Sequence, residues 1–125
     1  AAGGGGIPVI EKEGVLKGVE GVIDKDLATA VLASSIDEEF FIMLTRVDKV
    51  YLNYGEKDEK PIDEMTVGKA KTYLKEGQFP PGSMGPKIES SIHFLNQGGK
   101  KVLITSPEKL SKALEGRSGT YIINE

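Results

Sequence analysis

Two short segments place a lysine where the chain is expected to enter a helix. In the first, Asp24-Lys25-Asp26 stands at the start of an apolar pattern with helical spacing. In the second, Pro86-Lys87 follows a loop rich in glycine and proline. The first turn of a helix attracts anions through its free N–H groups and its dipole. A lysine beside it adds positive charge, so both segments are candidates for binding an anion such as a phosphate.

Each segment also has a purely structural interpretation. The first could be a helix cap with a surface salt bridge, and residues 80–87 could be a rigid connector. Two such loops in one small domain favour an anion site over these interpretations. Ligands of open parallel sheets bind beyond the carboxyl ends of the strands, and both loops can lie on that edge.

Phosphoryl transfer fits these parts, because it needs positioning and positive charge more than a covalent nucleophile. The sequence has no GxxxxGK[ST] motif, so a Walker-type loop is excluded. With no cysteine and a single histidine, it offers no zinc cluster, and we predict no protein-held metal site. We interpret His93 as structural, and Ser90 and Ser91 have no evident partner base.

Composition limits the class of protein. The chain has 125 residues, a net charge of -3 and no cysteine, which suits one domain with its own core. Mild acidity argues against a nucleic-acid partner. No apolar run approaches the roughly 20 residues needed to span a bilayer, and no leader is visible. We therefore expect a cytoplasmic protein without a membrane partner.

Strand-like and helix-like patterns alternate along the chain. Continuous apolar runs predict strands at 40–44, 50–52, 102–105 and 120–123, the first of them covered on both faces. Helical spacing and end signals predict helices at 24–35, 66–75, 86–97 and 107–114. Residues 11–21 are expected to form a loop or hairpin, and 54–62 an exposed connection. The pattern predicts a single α/β domain over residues 1–125, with an open, mainly parallel sheet and helices on both faces.

Four stretches, taken in order, resemble carbamate kinase, a member of the amino-acid-kinase family. They are residues 3–10, 18–28, 47–55 and 79–89, and the resemblance ends at Gly119-Thr120. The Asp-Lys-Asp and Pro-Gly-Ser-Met-Gly-Pro-Lys motifs are specific in that context. The four glycines are a weak signal alone, but they fall in the right place. The opening Ala-Ala-Gly-Gly-Gly-Gly is therefore interpreted as native sequence rather than a linker.

The resemblance implies an αβα amino-acid-kinase sandwich and the reaction of ADP and carbamoyl phosphate to ATP and carbamate. It implies Mg²⁺ with ATP or ADP as cofactor, and a usual role in arginine metabolism. Lys87 would contact the nucleotide phosphates and the moving phosphoryl group, and Lys25 would be a second cation there. Asp26 would orient the two lysines. These three residues are the predicted catalytic group.

The same resemblance assigns the nucleotide and substrate loops. The predicted nucleotide-binding residues besides Lys87 are Thr45, Tyr51, Gly82, Ser83, Met84 and Gly85. The predicted phosphate or substrate loop is Gly3, Gly4, Gly5 and Gly6. Related kinases often have Asp after the residue matching Thr45. Here Arg46 follows, and its role stays open.

Carbamate kinases are considerably longer, so the resemblance implies that this chain is the C-terminal, nucleotide-binding half of such an enzyme and inactive alone. We expect an exposed sheet edge, and pairing as a homodimer or with the missing N-terminal half. Two alternatives remain. One is a non-catalytic nucleotide-binding fragment, and the other is a related kinase for acetylglutamate, aspartate or a nucleoside monophosphate. The Pro80-Pro81 pair favours carbamate kinase over those relatives.

Overall fold

Eight strands and four α-helices follow one another along the chain, and the computed structural model describes all of residues 1–125. The strands are β1 (Val9–Lys12), β2 (Val15–Gly18), β3 (Phe40–Leu44), β4 (Val50–Leu52), β5 (Lys60–Ile62), β6 (Glu64–Thr66), β7 (Lys101–Thr105) and β8 (Thr120–Ile123). The helices are α1 (Lys25–Ser35), α2 (Val67–Lys75), α3 (Met84–Asn96) and α4 (Leu110–Leu114), with a 3-10 turn at Pro107–Lys109.

The central sheet has four strands in the order β3-β7-β8-β6. The β3–β7 and β6–β8 pairs are parallel, and the β7–β8 pair is antiparallel. The predicted mainly parallel α/β sheet is therefore confirmed. The prediction that β3 is covered on both faces holds for one face only. Phe41 and Met43 are buried, whereas Phe40 and Ile42 on the other face are half-buried and Leu44 is exposed. β3 also lies at the edge of the sheet.

Helices lie on both faces of this sheet, as predicted. Alternate side chains of a strand point to opposite faces. Val102 and Ile104 belong to a core that also holds Ile88 and Phe94 of α3. Leu103, between them, lies on the other face close to Ala113 of α4, since a side chain placed on Gly119 would touch both.

Two segments predicted as loops contain strands that form two-stranded sheets, β1-β2 and β4-β5. The hairpin expected at 11–21 is formed by β1 and β2 and begins two residues earlier, at Val9. The region 54–62 is more ordered than expected, because β5 pairs antiparallel with β4 and aligns Tyr51 with Pro61. A proline in a strand has no N–H for the ladder, so its presence concealed this edge strand in the sequence.

Local hydrogen bonds fix where the helices begin. Asp24 caps α1, since its carboxylate accepts from the amide of Leu27 at 2.9 Å, and Thr66 caps α2. Helix α3 begins at Met84, two residues before the predicted Pro86, because the carbonyl of Pro80 accepts from the amide of Gly85 at 2.9 Å. Pro86 still falls in the first turn, where a missing N–H costs nothing.

Two glycines near the C-terminus allow a matched test of the packing between β7 and α4. Gly116 and Gly119 both have positive φ, of 74° and 76°. A Cβ on Gly116 would meet no atom within 4 Å, whereas one on Gly119 would lie 2.6 Å from Leu103 Cδ1. We expect Gly116→Ala to cost about 1 kcal/mol of unfolding free energy, and Gly119→Ala about 2 to 4 kcal/mol. Urea unfolding measures both, and equal losses would contradict the close packing.

Candidate functional site

A cavity of about 1060 Å³ opens at the carboxyl ends of β3 and β7. Its wall is formed by the residues after these strands, the first turns of α1 and α3, and the segment around β4. The lining residues are Asp24, Lys25, Asp26, Leu44, Thr45, Arg46, Val47, Lys49, Tyr51, Tyr54, Gln78, Phe79, Pro80, Gly82, Ser83, Met84, Pro86, Lys87, Pro107 and Glu108. Both lysine-bearing helix starts therefore meet at one cavity, as the sequence predicted.

Lys87 and Asp26 form an ion pair across this cavity wall. The Lys87 Nζ donates to Asp26 Oδ2 at 2.8 Å, and the two side chains are 12% and 16% exposed. The pair joins the first turn of α1 to the first turn of α3. It therefore holds an ammonium group at the cavity wall with most of its side chain removed from solvent.

The three residues of the Asp-Lys-Asp motif divide into three different roles. Asp24 is the cap of α1, as noted above. Lys25 lines the cavity, is exposed and has no ion-pair partner. Asp26 faces Lys87. The motif thus supplies a cap, a free cation and an orienting carboxylate within three residues.

The loop before α3 meets the cavity through part of its length. Gly82, Ser83 and Met84 line the wall. Gly85 is buried behind them, its amide donates to Pro80, and a Cβ there would lie 3.1 Å from the Pro80 oxygen. Gly85 therefore allows the loop to close on itself. Its predicted contact with a nucleotide stays a prediction without geometric support.

Thr45 and two tyrosines form the side of the cavity next to β4. Thr45 lies one residue beyond β3, and its amide donates to the carbonyl of Thr105 at 2.9 Å, which extends the ladder. The rings of Tyr51 and Tyr54 are 5.7 Å apart and tilted by 53°. Together they present an aromatic surface to the cavity.

The glycines near the N-terminus do not line this cavity. A Cβ on Gly5 would lie 2.1 Å from the carbonyl oxygen of Ile23, so the loop packs directly against the residue that precedes the cap of α1. The loop is thereby near the start of α1, while the cavity wall is made by other residues. The assignment of Gly3, Gly4, Gly5 and Gly6 to a phosphate loop stays a prediction. His93, interpreted as structural, also lies outside the wall.

The sequence analysis missed several polar residues of the wall. Lys49 pairs with Asp63. The Gln78 side chain accepts from the amide of Asn53 at 2.9 Å, which fixes the segment after β4. Glu108 follows β7 and is exposed. The rule that ligands bind beyond the carboxyl ends of strands could have identified Glu108, because it follows a predicted strand.

A second polar contact ties the two loops that follow β3 and β7. Ser106 Oγ donates to Asp48 Oδ1 at 2.6 Å, and Lys109 lies 3.9 Å from the other carboxylate oxygen. Ser106 directly precedes the 3-10 turn at Pro107–Lys109. It makes no cap hydrogen bond there, because its hydroxyl is engaged by Asp48. The contact links the loop that carries Arg46, after β3, to the loop that carries Glu108, after β7.

The cavity wall is more positive than the chain that forms it. Its charged residues are the cations Lys25, Arg46, Lys49 and Lys87 and the carboxylates Asp24, Asp26 and Glu108, a net charge of one positive. The whole chain carries a net charge of -3. No group of three or more metal-ligating side chains is gathered anywhere in the chain. The wall is therefore suited to an anion.

The chain belongs to the amino acid kinase family, whose model matches residues 2–106. Similar proteins include the carbamate kinases of Thermoplasma acidophilum, 52% identical over 98% of this chain and 40% of the relative, and of Thermococcus kodakarensis, 49% identical over 100% and 40%. A solved carbamate kinase from Giardia lamblia bound to AMP-PNP is 40% identical with a TM-score of 0.92, over 97% of this chain and 38% of that one. This chain thus has the amino-acid-kinase fold and spans about 40% of the length of these relatives.

Two further expectations concern the class of enzyme and a membrane-spanning helix. The carbamate kinase relatives place this chain within a family of kinases, in agreement with the resemblance found in the sequence. None of the helices has both the length and the apolar character required to cross a bilayer.

Proposed function

We propose that this chain forms the nucleotide-binding part of a carbamate kinase, which transfers a phosphoryl group between carbamoyl phosphate and ADP. The observation that carries the proposal is the Lys87–Asp26 pair, held beside the free Lys25 where two helices begin at one cavity. The identity to carbamate kinases supports the choice of substrates. The AMP-PNP bound by the Giardia enzyme supports a nucleotide as the ligand.

In the proposed reaction, a terminal oxygen of ADP attacks the phosphorus of carbamoyl phosphate. The bond from that phosphorus to the carbamoyl oxygen breaks, and carbamate leaves with the electron pair. Negative charge is spread over the transferred group, and positive groups already in place stabilise it. Lys87, oriented by Asp26, is one such group, and Lys25 is the second. Because the cations are preorganised, little rearrangement is needed when the charge moves.

The cavity also has suitable size and surfaces for the rest of a nucleotide. Its volume of about 1060 Å³ is at the upper end of ordinary ligand pockets. Tyr51 and Tyr54 offer aromatic faces against which a base can pack. Gly82, Ser83 and Met84 line the same cavity as these rings and Lys87, and the proposal places the sugar and phosphates along them. Thr45 borders the same space.

Magnesium is proposed to enter with the nucleotide rather than to occupy a site built by this chain alone. Mg²⁺ in phosphoryl-transfer sites is bound by substrate phosphates, waters and one or two carboxylates. Asp26 and Glu108 are the carboxylates of the wall that do not cap a helix. The donor set therefore fits a nucleotide-carried ion, which would neutralise phosphate charge.

The remaining parts of the prediction concern the whole protein. We propose that the chain corresponds to the C-terminal portion of a longer cytoplasmic enzyme of arginine metabolism, whose other half supplies most of the carbamate site. This placement rests on the order of the motifs that resemble carbamate kinase. The unpaired edge of β3 and the exposed Leu27, Val31 and Leu32 of α1 support further pairing there, with that half or in a homodimer.

Calorimetric titration of the purified chain with Mg·ADP is the direct test of the proposed pocket. We expect saturable binding at one site, because both lysines and the aromatic wall come from this chain. Titration with MgCl₂ alone is the matched control and should give no comparable heat. The complete kinase should form ATP from carbamoyl phosphate and ADP. Absence of both Mg·ADP binding and ATP formation would reject the proposal, whereas binding without ATP formation would indicate a non-catalytic nucleotide-binding protein.

A further inference from the structure

Arg46 occupies a distinct position in the cavity. It follows Thr45 just beyond the carboxyl end of β3, lines the cavity and is exposed. Its guanidinium takes part in none of the ion pairs or side-chain hydrogen bonds of the protein. The other arginine, Arg117, pairs with Glu115 outside the cavity. Arg46 is thus an unpaired guanidinium facing a ligand-sized space.

The other cations of the wall differ from Arg46 in how they are engaged. Lys87 is paired with Asp26, and Lys49 is paired with Asp63. Lys25 is free, but it belongs to the catalytic group already described. Without Arg46, the three remaining cations would only balance the three carboxylates of the wall. Arg46 therefore provides the excess positive charge of the cavity.

We propose that Arg46 is an additional binding residue for the phosphate chain of the nucleotide, an inference that rests on the proposed function above. Guanidinium is planar and presents five donors in a fork that matches phosphate oxygens in pairs. No carboxylate of the chain competes for it. The contact of Asp48 with Ser106 holds the loop that carries Arg46, so the side chain is presented from a fixed backbone.

The strength of this contact is limited by solvent. An exposed charge pair in water contributes little compared with a buried one, but a charge-assisted bond to phosphate is stronger than a neutral one. We expect Arg46→Gln to weaken Mg·ATP and Mg·ADP binding about 3- to 10-fold. AMP carries less charge, so its affinity should change less than about twofold. The losses should shrink when salt is raised.

The experiment compares dissociation constants of Mg·ATP, Mg·ADP and AMP for the parent chain and three variants. Arg46→Lys should recover part of the lost affinity, because it keeps the charge but not the fork. Arg117→Gln removes the same charge outside the cavity and should leave all three constants unchanged. Circular dichroism establishes that each variant is folded. If Arg46→Gln does not fold, Arg46→Lys still tests the contribution of the forked guanidinium. An Arg46→Lys variant that binds Mg·ATP and Mg·ADP as tightly as the parent chain would overturn the proposal.

The outcomes separate this inference from the proposed function. If the parent chain binds none of the three nucleotides, the assignment of the cavity as a nucleotide pocket is wrong, and the proposed role of Arg46 is wrong as well. If the parent binds Mg·ADP and Arg46→Gln binds it equally well, the pocket stands and the role of Arg46 is refuted. Equal losses for ATP, ADP and AMP would likewise refute a contact with the phosphate chain.

Discussion

Replacing Lys87 with methionine is expected to lower the affinity for Mg·ADP by at least about 100-fold. The methionine keeps the apolar stem, so the change removes mainly the charge and the donors. The parent lysine is only 12% exposed, and a charged group with little water around it interacts strongly with phosphate. The variant also leaves Asp26 without its partner, and the bare carboxylate would then repel the phosphates. Both effects act in the same direction.

Calorimetry measures the affinity, with Lys71→Met as the control. Lys71 is an exposed lysine of α2 outside the cavity, so its replacement should leave ADP binding unchanged. Lys87 also links two helices, because its ion pair with Asp26 joins α1 to α3. We therefore expect Lys87→Met to cost about 1 to 2 kcal/mol of stability as well, less than a fully buried pair would.

The double variant Lys87→Met with Asp26→Asn separates the two effects. Removing both charges relieves the unpaired carboxylate, so most of the stability should return. Affinity for Mg·ADP should stay low, because the ammonium group is still absent. Recovery of ADP binding along with stability would show that Lys87 acts only through folding, and the phosphate role would have to be abandoned.

The architecture was largely accessible from the sequence because strong local signals agree with the tertiary structure. Asp24 and Thr66 do cap α1 and α2, and the apolar runs that became β3, β7 and β8 are strands. The errors concern features set by tertiary contacts. β3 is an edge strand even though its run of apolar residues resembles a central strand. The start of α3 depends on the Pro80 carbonyl, which no residue pattern reveals.

The candidate site was accessible in part, for a similar reason. The helix-start rule brought Lys25, Asp26 and Lys87 together, and the structure places them at one cavity. The pairing of Asp26 with Lys87 spans 61 residues, so it follows from the packing of α1 on α3 rather than from any local spacing. Gly85 is a residue for which the predicted contact with the ligand differs from the observed packing. A glycine in a phosphate-binding motif was predicted to contact the ligand, and its observed use is to let the loop close against Pro80.

Changing Asp26 to asparagine in the complete kinase is expected to lower turnover about 100-fold, while the affinity for ADP changes less than about threefold. Asparagine keeps the shape, and its oxygen can still accept from Lys87. The bond is weaker without the full charge, so Lys87 is held less firmly. Bound phosphates can still attract the looser ammonium group, and one repelling carboxylate has gone. The transition state requires the group at a set position, and loss of that positioning slows the chemical step.

Steady-state kinetics of ATP formation measure kcat and the KM for ADP, and Asp37→Asn provides the control. Asp37 is exposed, lies outside the cavity and makes no ion pair, so that variant should match the parent in both constants. Equal losses of turnover and ADP affinity for Asp26→Asn would mean that Asp26 serves as a structural link between α1 and α3. Unchanged turnover would mean that the phosphates alone position Lys87. A fall confined to kcat is the result that distinguishes orientation of the lysine from simple binding, because only orientation acts at the transition state without changing the ground state.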